Sequence, residues 1–310
     1  MALMSSVALG QTTVISGIIK DQQGNGIPMA FVRDVKHSYG TYSNLNGFYS
    51  LQADPTSILL ASALNHKDKA VKIDNNSTID LTMASADTIK TTMVGSKMIS
   101  DESKQQSGFF TSSLGNVSIR TQQVESVKGS RYLFVSWVHG FAITKSDSII
   151  QSNDYLCNYD KIDGSLLFSR NTRDALLADK NQIKSFTLVD DGGKSYTYAY
   201  NAAINSNKFV AVITSGNKYS IYKDLSTRFI KANYVTNGIT SSGNNYDEYV
   251  DENTYYIAKA GGQPQRISLR KKSIKSALAA DAQRVQEYMD AQTGEIDETY
   301  LAGLGEQLNK

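Results

Sequence analysis

The sequence predicts a mainly β protein: a small N-terminal β-sandwich, then a second antiparallel β domain that ends in a pair of α-helices. Six or seven short apolar runs lie between Val14 and Met83, separated by turn residues at nearly regular intervals. A second series of short apolar runs occupies Arg131 to Leu269, and beyond Leu269 the apolar period changes to that of a helix. These patterns divide the chain into a sandwich at 14–84, a linker at 85–108, a β domain at 109–270 and a helical hairpin at 271–310 packed on that domain.

In the first module, Ile15 to Lys20 is apolar and β-branched. The run Asp21-Gln22-Gln23-Gly24-Asn25-Gly26-Ile27-Pro28 follows, where the glycines supply positive φ and Pro28 cannot continue a central ladder, so a hairpin-like turn is expected. Ala30 to Val32 resumes the extended pattern. Gly40 to Ser43, Asn44-Leu45-Asn46-Gly47 and Phe48 to Leu51 spell strand, tight turn and strand. Ile58 to Leu64, Val71 with Ile73, and Ile79 with Leu81 and Met83 keep period two, which gives each strand one buried face.

The segments Ser16 to Asp21, Gly26 to Val32 and Gly40 to Tyr49 resemble the carboxypeptidase-regulatory-like (transthyretin-like) domain, over about a quarter of the chain. Similar domains precede the plug of many TonB-dependent receptors of Bacteroidota, and Ile89 to Gly95 is similar to the segment that follows the domain there. The resemblance therefore implies an envelope setting. The residues that follow lack the repeated lipid-facing alternation of a large membrane barrel. They also lack the closely spaced His and Glu ligands that a metallopeptidase neighbour needs.

Composition narrows the function classes. With 32 basic and 30 acidic residues spread along the chain and a formal net charge of +2, no basic field suits nucleic acid. The densest basic cluster, Arg270-Lys271-Lys272 with Lys275, reads as a solvated strand-to-helix junction. Met1 to Gly10 is small and apolar and ends Ala8-Leu9-Gly10, as at the end of a secretory signal cut before Gln11, with a frayed tail as the alternative. No basic n-region precedes it, so residues 1–10 are read as a signal remnant and the mature chain is expected to begin near Gln11. The single cysteine, Cys157, allows no disulfide framework, and no stretch approaches the roughly 20 apolar residues of a spanning helix. The expected location is the periplasm or the periplasmic face of the outer membrane.

Between Ala84 and Gly108 Ser, Thr, Lys, Asp and Gln dominate, a linker composition. Asp87-Thr88-Ile89 there, and Asp147-Ser148-Ile149 later, resemble the three-residue O-glycan acceptor pattern of Bacteroidota envelope proteins. Strands are expected at 132–138, 141–144, 155–159, 166–169, 183–189, 196–200, 209–215, 219–223, 229–235, 255–258 and 267–269. Turns at Lys161 to Gly164, Asp190 to Gly193 and Ser215 to Lys218 favour an antiparallel meander. Tyr196, Tyr198 and Tyr200 line one half-buried sheet face. Ile274, Ala277, Leu278, Ala282, Val285, Tyr288 and Met289 form one helical stripe with Ser273 as N-cap, and Gly294 stops that helix. Asp297 caps the next, whose apolar face holds Ile296, Tyr300, Leu301, Leu304 and Leu308.

Reactive constellations are scarce. His37, His66 and His139 read as exposed loop residues, none with a second ligand at metal spacing, and no Gly-x-Ser-x-Gly elbow occurs. Cys157 lies in an apolar strand as a small core residue, and Gly303-Leu304-Gly305 sits inside a helix pattern rather than in a phosphate loop. No metal or other cofactor is expected. Paired carboxylates remain, because their separation is not readable from sequence. The best local candidate is Asn245 to Glu252, in which Tyr246, Asp247, Tyr249 and Asp251 form the candidate ligand site: tyrosine faces stack on sugars or peptides while carboxylates accept hydrogen bonds. The plainer account makes it a solvated loop leading into the strand at Tyr255.

The function expected from these readings is a non-enzymatic, exported binding or adaptor protein whose partner is an envelope protein or glycan. A carboxylate-dependent hydrolase acting on envelope glycans or peptides is the alternative, and a structural spacer the third reading.

Overall fold

The fold is that of a computed structural model, which describes residues 12–86, 120–121, 127–233, 235–236, 241–244 and 246–310. The signal remnant, nearly all of the linker, the Asp87-Thr88-Ile89 triplet and the segment Ile89 to Gly95 lie outside the described residues. The chain divides into two compact units. Met1–Phe109, Ile143–Asp154 and Val189–Ser195 make up the first, and Phe110–Ala142, Tyr155–Leu188 and Tyr196–Lys310 the second.

In the first unit, β1 (Thr13–Lys20), β2 (Phe31–Asp34), β3 (Gly40–Tyr42), β4 (Phe48–Ala53), β5 (Ile58–Ser62), β6 (Lys69–Lys72) and β7 (Leu81–Thr82) form two sheets. Their orders are β4-β1-β7 and β3-β2-β5-β6. Ile15, Tyr49, Leu51 and Leu81 from one sheet and Val32, Leu59 and Ala61 from the other share one apolar core, the two-layer arrangement expected. The turns are those read from sequence, with a different job. Asp21 accepts the N–H groups of Gln23 and Asn25, and Asn44 Oδ1 those of Asn46 and Phe48. Neither turn joins hairpin partners, because each carries the chain from one sheet to the other.

The remaining strands are β8 (Arg120–Thr121), β9 (His139–Thr144), β10 (Ile149–Gln151), β11 (Leu156–Asp160), β12 (Ser165–Ser169), β13 (Asp174–Leu177), β14 (Ile183–Val189), β15 (Ser195–Tyr200), β16 (Phe209–Thr214), β17 (Tyr219–Ile230), β18 (Val235–Thr236), β19 (Ser241–Ser242), β20 (Glu248–Lys259) and β21 (Gln265–Ile267). The largest sheet runs β10-β9-β14-β15-β16-β17-β20-β21, mostly an antiparallel meander, and β11-β12-β13-β8 form another. The expected strand at 132–138 is absent. The Asn158 side chain inserts there, accepting the Phe134 N–H at 3.2 Å and donating to the Phe134 carbonyl at 2.9 Å, which leaves only isolated bridges at Tyr132 and Val138. The expected strands at 219–223 and 229–235 are one continuous β17 up to Ile230.

Alternation at Tyr196, Tyr198 and Tyr200 produces the aromatic packing expected, with Tyr198 fully buried. Its ring stacks on Phe186 at 5.1 Å and lies 4.7 Å from Tyr159, and Phe186 meets Phe209 edge-on at 5.1 Å. Three α-helices follow where two were expected: α1 (Lys271–Ala277), α2 (Ala282–Ala291) and α3 (Glu298–Asn309). The first expected helix breaks into a 3-10 turn at Ala279–Asp281. Ile274, Leu278, Val285, Met289, Leu301, Leu304 and Leu308 are buried against Tyr219, Ile221, Tyr255 and Ile257, so the helices do pack on the sheet. Ala282, expected on that stripe, is exposed.

Asp297 caps α3 as expected, accepting the Tyr300 N–H at 2.8 Å. Ser273 is no cap: it lies inside α1, and its hydroxyl accepts the Ser268 N–H at 3.0 Å. α2 stops at Gln292, whose backbone is extended, before Gly294 is reached. Gly216 serves close approach rather than positive φ, since a Cβ there would fall 2.1 Å from the Asn309 side chain. That amide accepts the N–H groups of Lys218 and Tyr219 at 3.0 Å each and locks the end of α3 to the β16–β17 turn.

Candidate functional site

β17 and β20 pair without interruption from Tyr219↔Lys259 to Ile230↔Glu248, and this register decides where the acidic tyrosine-rich segment points. The segment is therefore largely the beginning of β20, and of its described residues only Tyr246 and Asp247 precede the strand. Strand formation needs partners for its charges. Successive side chains face opposite sides, so Tyr249, Asp251 and Tyr255 share the face that holds Ile257 and the helices, while Glu248, Val250 and Glu252 face the other way.

Each side chain of the candidate set has a structural neighbour. Tyr249 packs on Phe229, its cross-strand partner, at 4.9 Å. Asp251 accepts Lys161 Nζ at 2.8 and 2.9 Å on its two oxygens and the Thr227 hydroxyl at 2.6 Å. Lys161 itself is buried, with 8% of its side chain exposed. Asp247 Oδ1 accepts the Ala232 N–H at 2.7 Å, while its backbone carbonyl accepts the Lys128 N–H at 3.0 Å. Lys128 places its ammonium 3.5 Å above the Tyr246 ring, a cation–π contact, and its carbonyl accepts the Tyr249 N–H at 2.9 Å. On the opposite face Arg228 donates to Glu252.

The polar row continues under the helices. Lys223 Nζ reaches both oxygens of Glu298 at 2.9 and 3.1 Å, and the Tyr255 hydroxyl donates to Glu298 at 3.0 Å. Burial first, and the Glu298 charge second, push the Tyr255 hydroxyl up to about 12, so it stays a donor at neutral pH. Tyr219 donates to Asp281 at 2.6 Å and is pushed up to about 12 by burial and then by that bond. A second polar knot forms at the β11–β12 turn, where Asp160 accepts Arg131 Nε at 2.7 Å and the N–H groups of Ile162 and Asp163.

These placements bring Asp251 to Lys161 and Thr227 but do not bring the four expected residues around one cavity. Alternation directs Asp251 and Glu252 to opposite faces, which removes them as a facing carboxylate pair. Lys161 was invisible as a site residue: it lies 90 positions from Asp251 and reads as an ordinary turn residue. Among the described residues no group of three or more His, Cys, Asp or Glu is gathered as for a metal. His37 is exposed and lies 3.2 Å from Asp34, whereas His66 is half-buried and donates to the Leu64 carbonyl at 2.8 Å. His139, read as a loop residue, is half-buried in β9. Burial pushes the Cys157 thiol up to about 12, away from a reactive thiolate.

No protein-family model and no curated protein matches this chain. Among the described residues no helix is long and apolar enough to cross a membrane.

Proposed function

We propose that this chain is a binding or adaptor protein of the cell envelope that does no chemistry of its own. It is exported to the periplasm or the periplasmic face of the outer membrane, with a carboxypeptidase-regulatory-like sandwich as a rigid interaction module. Its partner is an envelope protein or a glycan. The observation that carries the reading is the fate of the acidic segment: Asp251 is occupied by Lys161 and Thr227, and Asp247 Oδ1 by a backbone N–H. A carboxylate held in this way by its own chain is a structural acceptor; a general base must instead be within reach of a substrate proton. The buried, proton-retaining Cys157 supports the same reading.

The test immobilises the full chain and passes solubilised envelope extract over it. A protein or glycan retained above an inert column is the expected result, and retention of nothing overturns the proposal. Cell fractionation tests the location separately: recovery with the cytoplasmic fraction alone removes the envelope assignment.

A further inference from the structure

We propose that the face of β17 and β20 turned away from the helices carries a binding site for one pyranose unit of a glycan. The inference rests on the binding reading above and names its ligand. Because Tyr219, Ile221 and Ile257 are buried under the helices, alternation turns Ser220, Tyr222 and Ala258 to the opposite side. Ser220 and Ala258 are cross-strand partners with small side chains, and they make a low floor. Tyr222, the β20–β21 turn with Gln263, and the β15–β16 turn with Asn201 border it, leaving an open cleft of about 250 Å³.

The walls are fixed by the fold. Ala260 N–H donates to the Lys218 carbonyl and Gly262 N–H to that of Lys259, each at 2.8 Å. Asn205 Nδ2 reaches both oxygens of Asp224 at 3.2 Å, tying the β15–β16 turn to the same sheet face. The polar groups in the cleft are unspent. Among the described residues the side chains of Ser220, Tyr222 and Gln263 make no hydrogen bond or ion pair, in contrast to the saturated row around Asp251.

The chemistry of the lining selects the ligand. No carboxylate lines the cleft, which disfavours metal ions and cationic ligands. The lining is mainly polar: the hydroxyls of Ser220 and Tyr222 and the amides of Asn201 and Gln263 both donate and accept. A pyranose presents the complement, a compact ring rimmed by hydroxyls that donate and accept. The volume is below the roughly 300–1,000 Å³ of clefts that enclose drug-sized ligands, so one ring fits and the rest of a glycan stays outside.

The test is saturation-transfer NMR and calorimetry on the full chain with methyl α-glucopyranoside, methyl β-galactopyranoside, N-acetylglucosamine and glucuronic acid. At least one sugar is expected to bind in the millimolar range. Tyr222→Ala, which removes a hydroxyl from the cleft, should weaken it about tenfold, and Ala258→Trp, which fills the floor, should abolish it. Circular dichroism and thermal midpoint confirm that each variant is folded. Binding of none of these sugars, or binding that survives both substitutions in folded protein, overturns the site. If a folded Ala258→Trp column still retains the same envelope ligand as wild type, the cleft is wrong while the binding reading stands. A wild-type column that retains nothing removes the binding reading itself.

Discussion

Lys161 is buried within the second unit, where its ammonium meets the Asp251 carboxylate, which in turn accepts the Thr227 hydroxyl. Removing the carboxylate strands a buried cation, so Asp251→Ala is expected to cost about 1–3 kcal/mol in urea unfolding. An unchanged midpoint would make this pair ornamental. Cys157 allows a sharper yes-or-no result: with its thiol pushed up to about 12 by burial, it should resist maleimide at pH 8 in the native chain and react fully in denaturant. Stoichiometric native labelling would contradict its placement. Asp34, fully buried in the sandwich, gives the pH dependence. Burial pushes its carboxyl up, but hydrogen bonds from the Ser57 hydroxyl, the N–H groups of Asp54 and Lys36, and His37 outweigh that and hold it below the usual range. A depressed carboxyl contributes stability above its unfolded value, near 4, and loses it as pH falls through the lower folded value. Urea midpoints should therefore fall on acidification below about pH 4, and Asp34→Asn should flatten that fall. Identical pH profiles would rule Asp34 out as its source.

Among the elements, α3 gives a prediction whose sign is informative. Replacing a helical glycine by alanine ordinarily gains roughly 1 kcal/mol. At Gly305, however, a Cβ would lie 2.7 Å from the Thr214 side chain of β16. Gly305→Ala should thus destabilise by about 1–3 kcal/mol through overpacking, and a raised melting temperature would show that α3 stands off the sheet. The same helix marks the limit of what its sequence reveals. The stripe Tyr300, Leu301, Leu304 and Leu308 and the Asp297 cap depend on neighbours a few positions away, and these local signals were legible. Gly305 and Asn309 act on residues about 90 positions distant, where no periodicity reports on them. β20 was underestimated for a related reason. A run containing Asp247, Glu248, Asp251 and Glu252 reads as solvated, yet Lys161 from the β11–β12 turn and Thr227 and Arg228 from β17 neutralise and hydrogen-bond it into a ladder. The tyrosines and acids of this segment were therefore legible in the sequence, and the partners that hold them were not.

At the scale of the molecule, the C-terminal helices form part of the second unit's core. Eight side chains from residues 271–310 are buried against or beside the sheet: Ile274, Leu278, Val285, Met289, Tyr300, Leu301, Leu304 and Leu308. At about 1.5–3 kcal/mol each, their loss is on the order of 10 kcal/mol, comparable to the whole stability of a domain. A chain ending at Arg270 should keep a folded sandwich and lose the cooperative unfolding of the second unit, as calorimetry would report. A full second transition would mean that the helices are held for a partner. The larger claim is that the molecule binds a ligand and leaves it chemically unchanged. It is tested most directly by the mass of an envelope glycan or peptide eluted from the immobilised chain after prolonged incubation. The account predicts recovery of intact ligand. Recovery of cleaved ligand, with cleavage lost in Asp247→Asn, would contradict it.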